Sequence, residues 1–190
     1  MIFLITLFLC ILLHELGHLL VAKLCKCNVE EFSIGFGKEI FKIKIKDTVY
    51  KITPWLLGGY CKLQDELTCS ESKYAFTNLR YSKKVSISLA GIFVNILTGL
   101  IGIFIGYLLL NYSLVYFGEL SIVLGITNLL PIPALDGSYI FLVLLEKKYG
   151  KKKGYELMDK LCKVGFKIIM ILNILCLPYL IWLFIQGKIS

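Results

Sequence analysis

The chain contains two histidines, and both lie in the pentapeptide His14-Glu-Leu-Gly-His18. On an α-helix, residues i and i+4 share a face, so the two imidazoles can bind one metal ion. Glu15, between them, can then reach a water molecule on that metal and act as a general base. A catalytic zinc ion takes three protein ligands and keeps one open position. The pattern therefore predicts a hydrolytic zinc site whose third ligand comes from elsewhere in the chain or from another subunit.

The pentapeptide lies in the first of four long apolar segments. The AVILMFWYC residues make up 57% of the 190 positions and charged residues 18%, a composition too apolar for a soluble domain. We predict transmembrane helices at about 2–22, 85–111, 116–145 and 164–187, each long enough to cross a hydrocarbon core of about 30 Å. A signal peptide is disfavoured at the N-terminus because no Lys or Arg precedes the apolar segment. We expect a multi-pass integral membrane protein, in the cell membrane if the source is a bacterium.

The distribution of basic residues predicts the orientation in the membrane. Of the 21 Lys and Arg residues, 12 lie in residues 23–84 and 7 in residues 146–163, whereas residues 111–117 contain none. The positive-inside rule places the two basic loops in the cytoplasm and both termini outside. The formal net charge of +8 then reflects contact with the lipid bilayer, and we expect no nucleic-acid partner.

Depth in the bilayer indicates which acidic residue completes the metal site. Glu15 lies about 20 Å along a helix that starts outside, which places it in the inner half of the bilayer. Asp136 lies past the middle of the third predicted span, whereas Glu119 is 17 residues nearer the outer face. The depth of the two histidines therefore matches Asp136, and we interpret Glu119 as an interfacial residue.

The third predicted span also contains residues that would open its helix around Asp136. Pro131 and Pro133 remove backbone donors, and Gly137 permits unusual dihedral angles. Non-helical backbone at this depth is tolerated where it is buried in protein or lines a water-filled cavity. Hydrolysis needs such a cavity, so we predict a functional break in this helix.

The loop between the first two spans carries a β pattern. Residues 41–52 alternate with period two around Asp47-Thr48, which is typical of a β-hairpin, and we predict a cytoplasmic β-hairpin region at about 29–66. Residues 54–61 are apolar but too short to cross the membrane, so we expect them to dip into the interface or to pack on the spans. The edge of the 41–52 hairpin could hold an unwound substrate by strand addition.

The cysteines offer a weaker metal signal. Five of the seven lie in the inferred cytoplasmic loops, where thiols stay reduced, so a disulfide framework is not expected. The pair Cys25-Lys-Cys27 lacks the second pair that a structural zinc site requires. We interpret these cysteines as ordinary thiols.

Two motifs in this order resemble the site-2 protease family, the M50-type intramembrane zinc metalloproteases. They are His14-Glu-Leu-Gly-His18 and Asn128-Leu-Leu-Pro-Ile-Pro-Ala-Leu-Asp-Gly137. Weaker similarities are Gly58-Gly59-Tyr60-x-Lys62, the following Asp65-Glu66, and Ala90-Gly91 with Asn95. The resemblance covers residues 1 to about 145. It implies an all-α polytopic fold with about four transmembrane helices, the third one broken, and a small membrane-associated β-hairpin or sheet after the first.

The resemblance implies hydrolysis of a peptide bond in or next to a transmembrane segment of a membrane-anchored protein. It assigns one zinc ion per chain to His14, His18 and Asp136, and the general base to Glu15. A nearby asparagine donor could stabilise the oxyanion. Four residues are implied to bind substrate: Asn95, Asn128, Gly58 and Gly59.

Three departures from the family pattern concern packing and regulation. Ile92 stands where the family usually has Pro, and Ser138 replaces a frequent second Gly. Residues 1–190 leave no room for a PDZ or CBS domain, so we expect a single membrane-embedded protease domain without accessory modules. Substrate selection, and control by a regulatory membrane partner, stay open.

Two other functions fit part of the pattern. A divalent-cation transporter could use two His and an Asp in a broken helix, although it gives Glu15 no role. A catalytically inactive relative could bind membrane segments without cleaving them.

Overall fold

The computed structural model describes residues 2–68, 70–133 and 135–185, and the side chains within these ranges except 55–57, 169, 170 and 172–185. Five α-helices and four β-strands make up this part of the chain. The helices are α1 (Ile2–Leu24), α2 (Tyr81–Leu108), α3 (Tyr112–Leu129), α4 (Ser138–Tyr149) and α5 (Lys151–Ile185). The strands are β1 (Val29–Phe36), β2 (Phe41–Ile45), β3 (Thr48–Ile52) and β4 (Trp55–Leu63), and all four lie between α1 and α2.

Among the described residues, three helices, α1, α2 and α3, are long and apolar enough to cross a membrane. Helices α2 and α3 pack closely because small residues face each other where the two helices meet. A Cβ atom on Gly99 would lie 2.8 Å from the carbonyl oxygen of Gly118, and one on Gly118 would lie 2.5 Å from that of Gly99. Small residues at such contacts let two membrane helices approach backbone to backbone. The prediction of a largely helical integral membrane protein is confirmed.

The predicted third span, 116–145, is interrupted over residues 130–137. The helix α3 ends at Leu129 and α4 begins at Ser138, with both prolines in the gap. The backbone N–H of Gly137 donates to the carbonyl oxygen of Asn128 at 2.8 Å, which closes the gap into a compact turn. The predicted break in the third helix is therefore confirmed, and it is wider than a local kink.

Residues 164–185 of the predicted fourth span, 164–187, fall within α5. Gly150, with φ of 80°, separates α5 from α4, so the fourth helix begins at Lys151, in the basic segment that precedes the predicted span. A positive φ suits glycine because it has no Cβ atom. Residues 186 and 187 of the predicted span lie outside the described part of the chain.

The strands form one sheet in the order β2-β3-β1-β4. The hairpin predicted at 41–52 is present, with β2 antiparallel to β3 and its turn at Lys46-Asp47, one residue earlier than expected. Strand β1 pairs with β3 in parallel and with β4 in antiparallel orientation. Of the two edges of the sheet, β2 therefore forms one and β4 the other.

Most of the apolar segment 54–61 belongs to β4 and pairs with β1. Of the two expectations for this segment, a dip into the membrane interface stays a prediction. The other expectation, packing on the spans, agrees with the structure. A Cβ atom on Gly59 would lie 3.1 Å from Cγ of Glu15, so β4 passes directly over α1. Strand β4 was not predicted from the sequence because its adjacent glycines, Gly58 and Gly59, disfavour strand structure.

A buried ion pair connects α2 to α4. The Nζ atom of Lys84 lies 2.9 Å from Oε2 of Glu146, and the two side chains are only 2% and 9% exposed. The Tyr155 ring of α5 lies 5.2 Å from the same ammonium group. Removal of one member of a buried pair typically costs about 3–5 kcal/mol, so this contact holds α4 firmly against α2.

Candidate metal centre

The structure brings together the three residues that the sequence proposes as metal ligands. His14 and His18 project from α1, and Asp136 comes from the turn between α3 and α4. The Oδ2 atom of Asp136 lies 2.7 Å from Nε2 of His14 and 3.2 Å from Nε2 of His18. The two Nε2 atoms are 3.2 Å apart. Three potential donor atoms therefore converge on one point inside the protein.

One face of α2 supports both imidazoles. Residues 87, 91 and 95 are spaced by four, so they lie along this face one turn after another. The carbonyl oxygen of Ile87 lies 2.8 Å from Nδ1 of His18, and Nδ2 of Asn95 lies 3.2 Å from Nδ1 of His14. Between these contacts, a Cβ atom on Gly91 would lie 2.4 Å from Nε2 of His18 and 2.7 Å from Nε2 of His14. Only glycine lets α2 approach the two rings this closely.

The hydrogen bonds behind the imidazoles fit a bound metal ion. Because a carbonyl oxygen can only accept, Nδ1 of His18 must carry the proton, which leaves a lone pair on Nε2. The Oδ1 atom of Asn95 is buried without a hydrogen-bond partner. Rotation of the Asn95 amide group by half a turn about its Cβ–Cγ bond exchanges its oxygen and nitrogen and brings Oδ1 to Nδ1 of His14. Nδ1 of His14 then carries the proton, and Nε2 of His14 also presents a lone pair. Ligand atoms around a tetrahedral zinc ion are about 3.3 Å apart, close to the separations here.

Glu15 lies beside the three donor groups, in the same cavity. The cavity has a volume of about 580 Å³ and also contains His14, His18 and Asp136 in its wall. The Glu15 side chain lies against β4, where a Cβ atom on Gly59 would be 3.1 Å from Cγ of Glu15. The carboxylate therefore lies next to the sheet while its helix carries the two histidines.

The substrate residues implied by the family resemblance occupy different positions. Gly58 and Gly59 of β4 line the cavity, and so does Asn128 at the end of α3, whose amide donates to the carbonyl oxygen of Leu124 at 3.2 Å. Asn95 is fully buried behind His14 and does not line the cavity. The amide of Asn95 contacts Nδ1 of His14, and the expected substrate contact of Asn95 stays a prediction. Glu119 is exposed on α3 and takes no part in the cluster.

Three cavity residues carry no strong signal in the sequence. The Phe36 ring covers Gly58, where a Cβ atom would lie 2.0 Å from the ring, and it stacks on Tyr60 at 6.3 Å between centroids. The hydroxyl of Tyr139 donates to Oε1 of Glu66, and both residues line the cavity. Phe36 is the last residue of β1, a position that carries no functional signal. For Glu66, the one signal in the sequence is the weak similarity of Asp65-Glu66 to the family pattern.

The cysteines do not join the metal cluster among the described residues. Burial raises the pKa of the Cys27 thiol to about 12, and burial also raises the pKa of Cys61. Such thiols stay protonated near neutral pH and are poor metal ligands. The interpretation of Cys25 and Cys27 as ordinary thiols agrees with this environment.

The close approach at Gly91 can be tested by one added methyl group. In Gly91→Ala the methyl overlaps both imidazoles, so we expect zinc affinity to fall at least about tenfold, as measured by competition with a chelator. Gly102→Ala is the matched control on the same helix, because its methyl meets the Phe117 ring at 3.0 Å, away from the histidines. Equal zinc affinity in the two variants would contradict the arrangement described here.

Comparison with known proteins places this geometry in a family. The family model of peptidase family M50 matches residues 2–115 and 108–172. A "Putative zinc metalloprotease" of Borreliella burgdorferi is 42% identical over 97 residues, which cover 46% of this chain and 22% of that protein. One of the same description from Clostridium acetobutylicum is 41% identical over 87 residues, 46% of this chain and 26% of its own length. The matched regions thus span about a quarter of these relatives.

A solved structure shares the fold. The site-2 protease from Methanocaldococcus jannaschii matches with a TM-score of 0.56 at 23% identity, over 94% of this chain and 68% of that chain. The family model covers most of the chain, and the structural match covers nearly all of it. The predicted membership of the site-2 protease family is confirmed, and the chain belongs to peptidase family M50.

Proposed function

We propose that this protein is an intramembrane zinc metalloendopeptidase of the site-2 protease type. It hydrolyses a peptide bond in or next to a transmembrane segment of a membrane-anchored protein. One observation carries the proposal: His14, His18 and Asp136 offer donor atoms within 4.8 Å of one another, in a cavity that also contains Glu15. Membership of a peptidase family supports the reaction class.

The metal ligands in this proposal are Nε2 of His14, Nε2 of His18 and a carboxylate oxygen of Asp136, which hold one zinc ion per chain. Bound zinc polarises the scissile carbonyl group and lowers the pKa of a water molecule in the site. Ile87 and Asn95 fix the orientation of the two rings through their Nδ1 atoms. Such outer contacts keep the donors in place before the metal binds.

Glu15 acts as the general base. Its carboxylate takes the proton of the attacking water and passes it to the nitrogen of the leaving amine. The contact with β4 at Gly59 and the position next to His14 on the helix limit the movement of this carboxylate. Efficient proton transfer needs such a fixed base within hydrogen-bonding reach of the water.

The substrate binds in extended form along β4. A transmembrane helix hides its amides in internal hydrogen bonds, so the segment around the scissile bond must unwind. Strand β4 pairs with β1 on one side only and has no partner strand on its other side among the described residues. Gly58 and Gly59 bring this edge to the cavity that contains Glu15. We therefore assign strand addition to β4 and not to the 41–52 hairpin. Of the two hairpin strands, β3 lies inside the sheet and β2 lies at the edge farthest from β4.

The active site faces the cytoplasmic side of the membrane. The basic segments 23–84 and 146–163 support this orientation through the positive-inside rule. Strand β4 and the segment after it belong to the first of these segments, so the substrate-binding edge lies on the same side. A membrane-bound regulatory partner would then reach the site from the cytoplasm or from the bilayer.

The role of Glu15 is tested by Glu15→Gln in protein purified in detergent. We expect chelator-sensitive cleavage of a membrane-anchored peptide by the wild type. In the variant, zinc content should be unchanged and kcat lower by about 10²–10⁴, because the amide cannot accept the proton. Glu119→Gln, which changes an exposed acidic residue on α3, should cleave like the wild type.

One outcome would contradict the protease assignment, and another would contradict the role of Glu15. Wild-type protein that binds zinc but cleaves no member of a broad panel of membrane-anchored peptides would favour a binding or transport function. Zinc uptake into proteoliposomes would then identify a transporter. Equal cleavage by wild type and Glu15→Gln would remove Glu15 as the base.

Strand addition on β4 predicts a period of two in the substrate. N-methylation of single amides in a cleavable peptide removes one hydrogen-bond donor at a time, and alternate residues of a strand point their amides to the same neighbour. We expect turnover to fall at least about tenfold at every second position flanking the scissile bond, with zinc content unchanged. A uniform effect along the peptide would exclude pairing with β4.

A further inference from the structure

Glu66 and Tyr139 line the same cavity as the metal centre, and the proposed reaction uses neither. Glu66 follows the end of β4 by three residues, and Tyr139 follows Asp136 by three residues. The Tyr139 hydroxyl donates a hydrogen bond to Oε1 of Glu66. This bond is a direct link between the segment after the substrate-binding strand and the segment that carries the third ligand.

Asp136 depends on such a link more than the histidines do. His14 and His18 project from a continuous helix, whereas Asp136 lies in the short turn between α3 and α4. The backbone N–H of Tyr139 donates to the carbonyl oxygen of Asp136 at 3.1 Å. Displacement of Tyr139 would therefore move the backbone of Asp136.

The other end of the link is anchored in the sheet region. The backbone N–H of Gln64 donates to the carbonyl oxygen of Asn28 at 2.9 Å, and that of Phe76 donates to the carbonyl oxygen of Gln64 at 3.0 Å. The Phe76 ring is 1% exposed and meets the Tyr139 ring edge to face at 5.6 Å between centroids. Tyr139 is thus held by a packed ring and by a hydrogen bond, both from one anchored segment.

The environment of Glu66 indicates that this hydrogen bond matters to the carboxyl group. Burial raises the pKa of Glu66 to about 7, while the bond from the Tyr139 hydroxyl acts in the opposite direction. A carboxylate in such surroundings is costly unless its oxygens are hydrogen-bonded. The pair is therefore mutually stabilising.

We infer that Glu66 and Tyr139 are positioning residues for the third metal ligand. Their hydrogen bond fixes the turn that contains Asp136, so that its carboxylate stays opposite the two imidazoles. The inference rests on the proposed zinc site. It assigns to the segment after β4 a part in metal binding, in addition to the strand's own contact with substrate.

The test measures zinc affinity directly, by competition with a chromophoric chelator, in detergent-purified protein. Tyr139→Phe removes only the hydroxyl, and Glu66→Leu removes the acceptor. We expect each to weaken zinc binding about tenfold or more, within the range found for residues that orient ligands. The double variant should bind zinc no more weakly than the weaker of the two single variants, because both changes break the same hydrogen bond.

Two further variants separate the hydrogen bond from other effects. Glu66→Gln keeps an oxygen that accepts from the Tyr139 hydroxyl, so its zinc affinity should stay within about threefold of wild type. Tyr60→Phe is the matched control, because this phenol lines the same cavity but donates to Glu31 at 3.0 Å. Its zinc affinity should not change. Circular dichroism of each variant checks the fold, and if Glu66→Leu does not fold, Tyr139→Phe and Glu66→Gln decide.

Unchanged zinc affinity in Tyr139→Phe would overturn the inference. An equal loss in Glu66→Gln and Glu66→Leu would overturn it as well, because the charge of the carboxylate and not the hydrogen bond would then be responsible. Either result leaves the zinc site itself intact. A wild-type protein that binds no zinc would overturn both the inference and the proposed function.

Discussion

The contact between the imidazoles of α1 and the bare backbone of α2 at Gly91 is the constraint on which the site depends. It lets two rings on one helix point at the same place, with Ile87 and Asn95 behind them on the next turns of α2. In a hydrocarbon environment three polar groups would otherwise be expensive. In the proposed function, convergence onto one metal ion would give each of them a partner and would supply the chemistry of the site.

The remaining elements bring two further parts to that point. The break between α3 and α4 delivers Asp136, and a compact turn with backbone hydrogen bonds replaces the missing helix. The sheet delivers β4, which contacts Glu15 at Gly59 and which, among the described residues, has an unpaired edge beside the cavity. In the proposed function, the catalytic group, the third ligand and the substrate-binding edge come from three separate segments. The bond between Glu66 and Tyr139 connects the last two of these segments directly.

Local patterns in the sequence predicted what depends on neighbouring residues. Helix periodicity explains the spacing of His14 and His18, and strand periodicity explains the alternation in the 41–52 hairpin. The prolines before Asp136 predict a helix break because proline has no backbone N–H. The position of Asn95 behind His14 could not be predicted, because it depends on how α2 packs against α1. Strand β4 was hidden for a similar reason: its paired glycines oppose strand propensity, and its pairing with β1 is a long-range contact. The bond between Glu66 and Tyr139 joins residues 73 apart in sequence, which no local pattern reveals.

The central claim is that two imidazoles and one carboxylate hold a single zinc ion. X-ray absorption at the zinc edge, on protein loaded with one equivalent of zinc, tests it most directly. We predict only nitrogen and oxygen neighbours at about 2.0–2.2 Å, with the multiple scattering of two imidazole rings. A sulfur neighbour at about 2.3 Å would assign the metal to cysteines and would contradict the site described here.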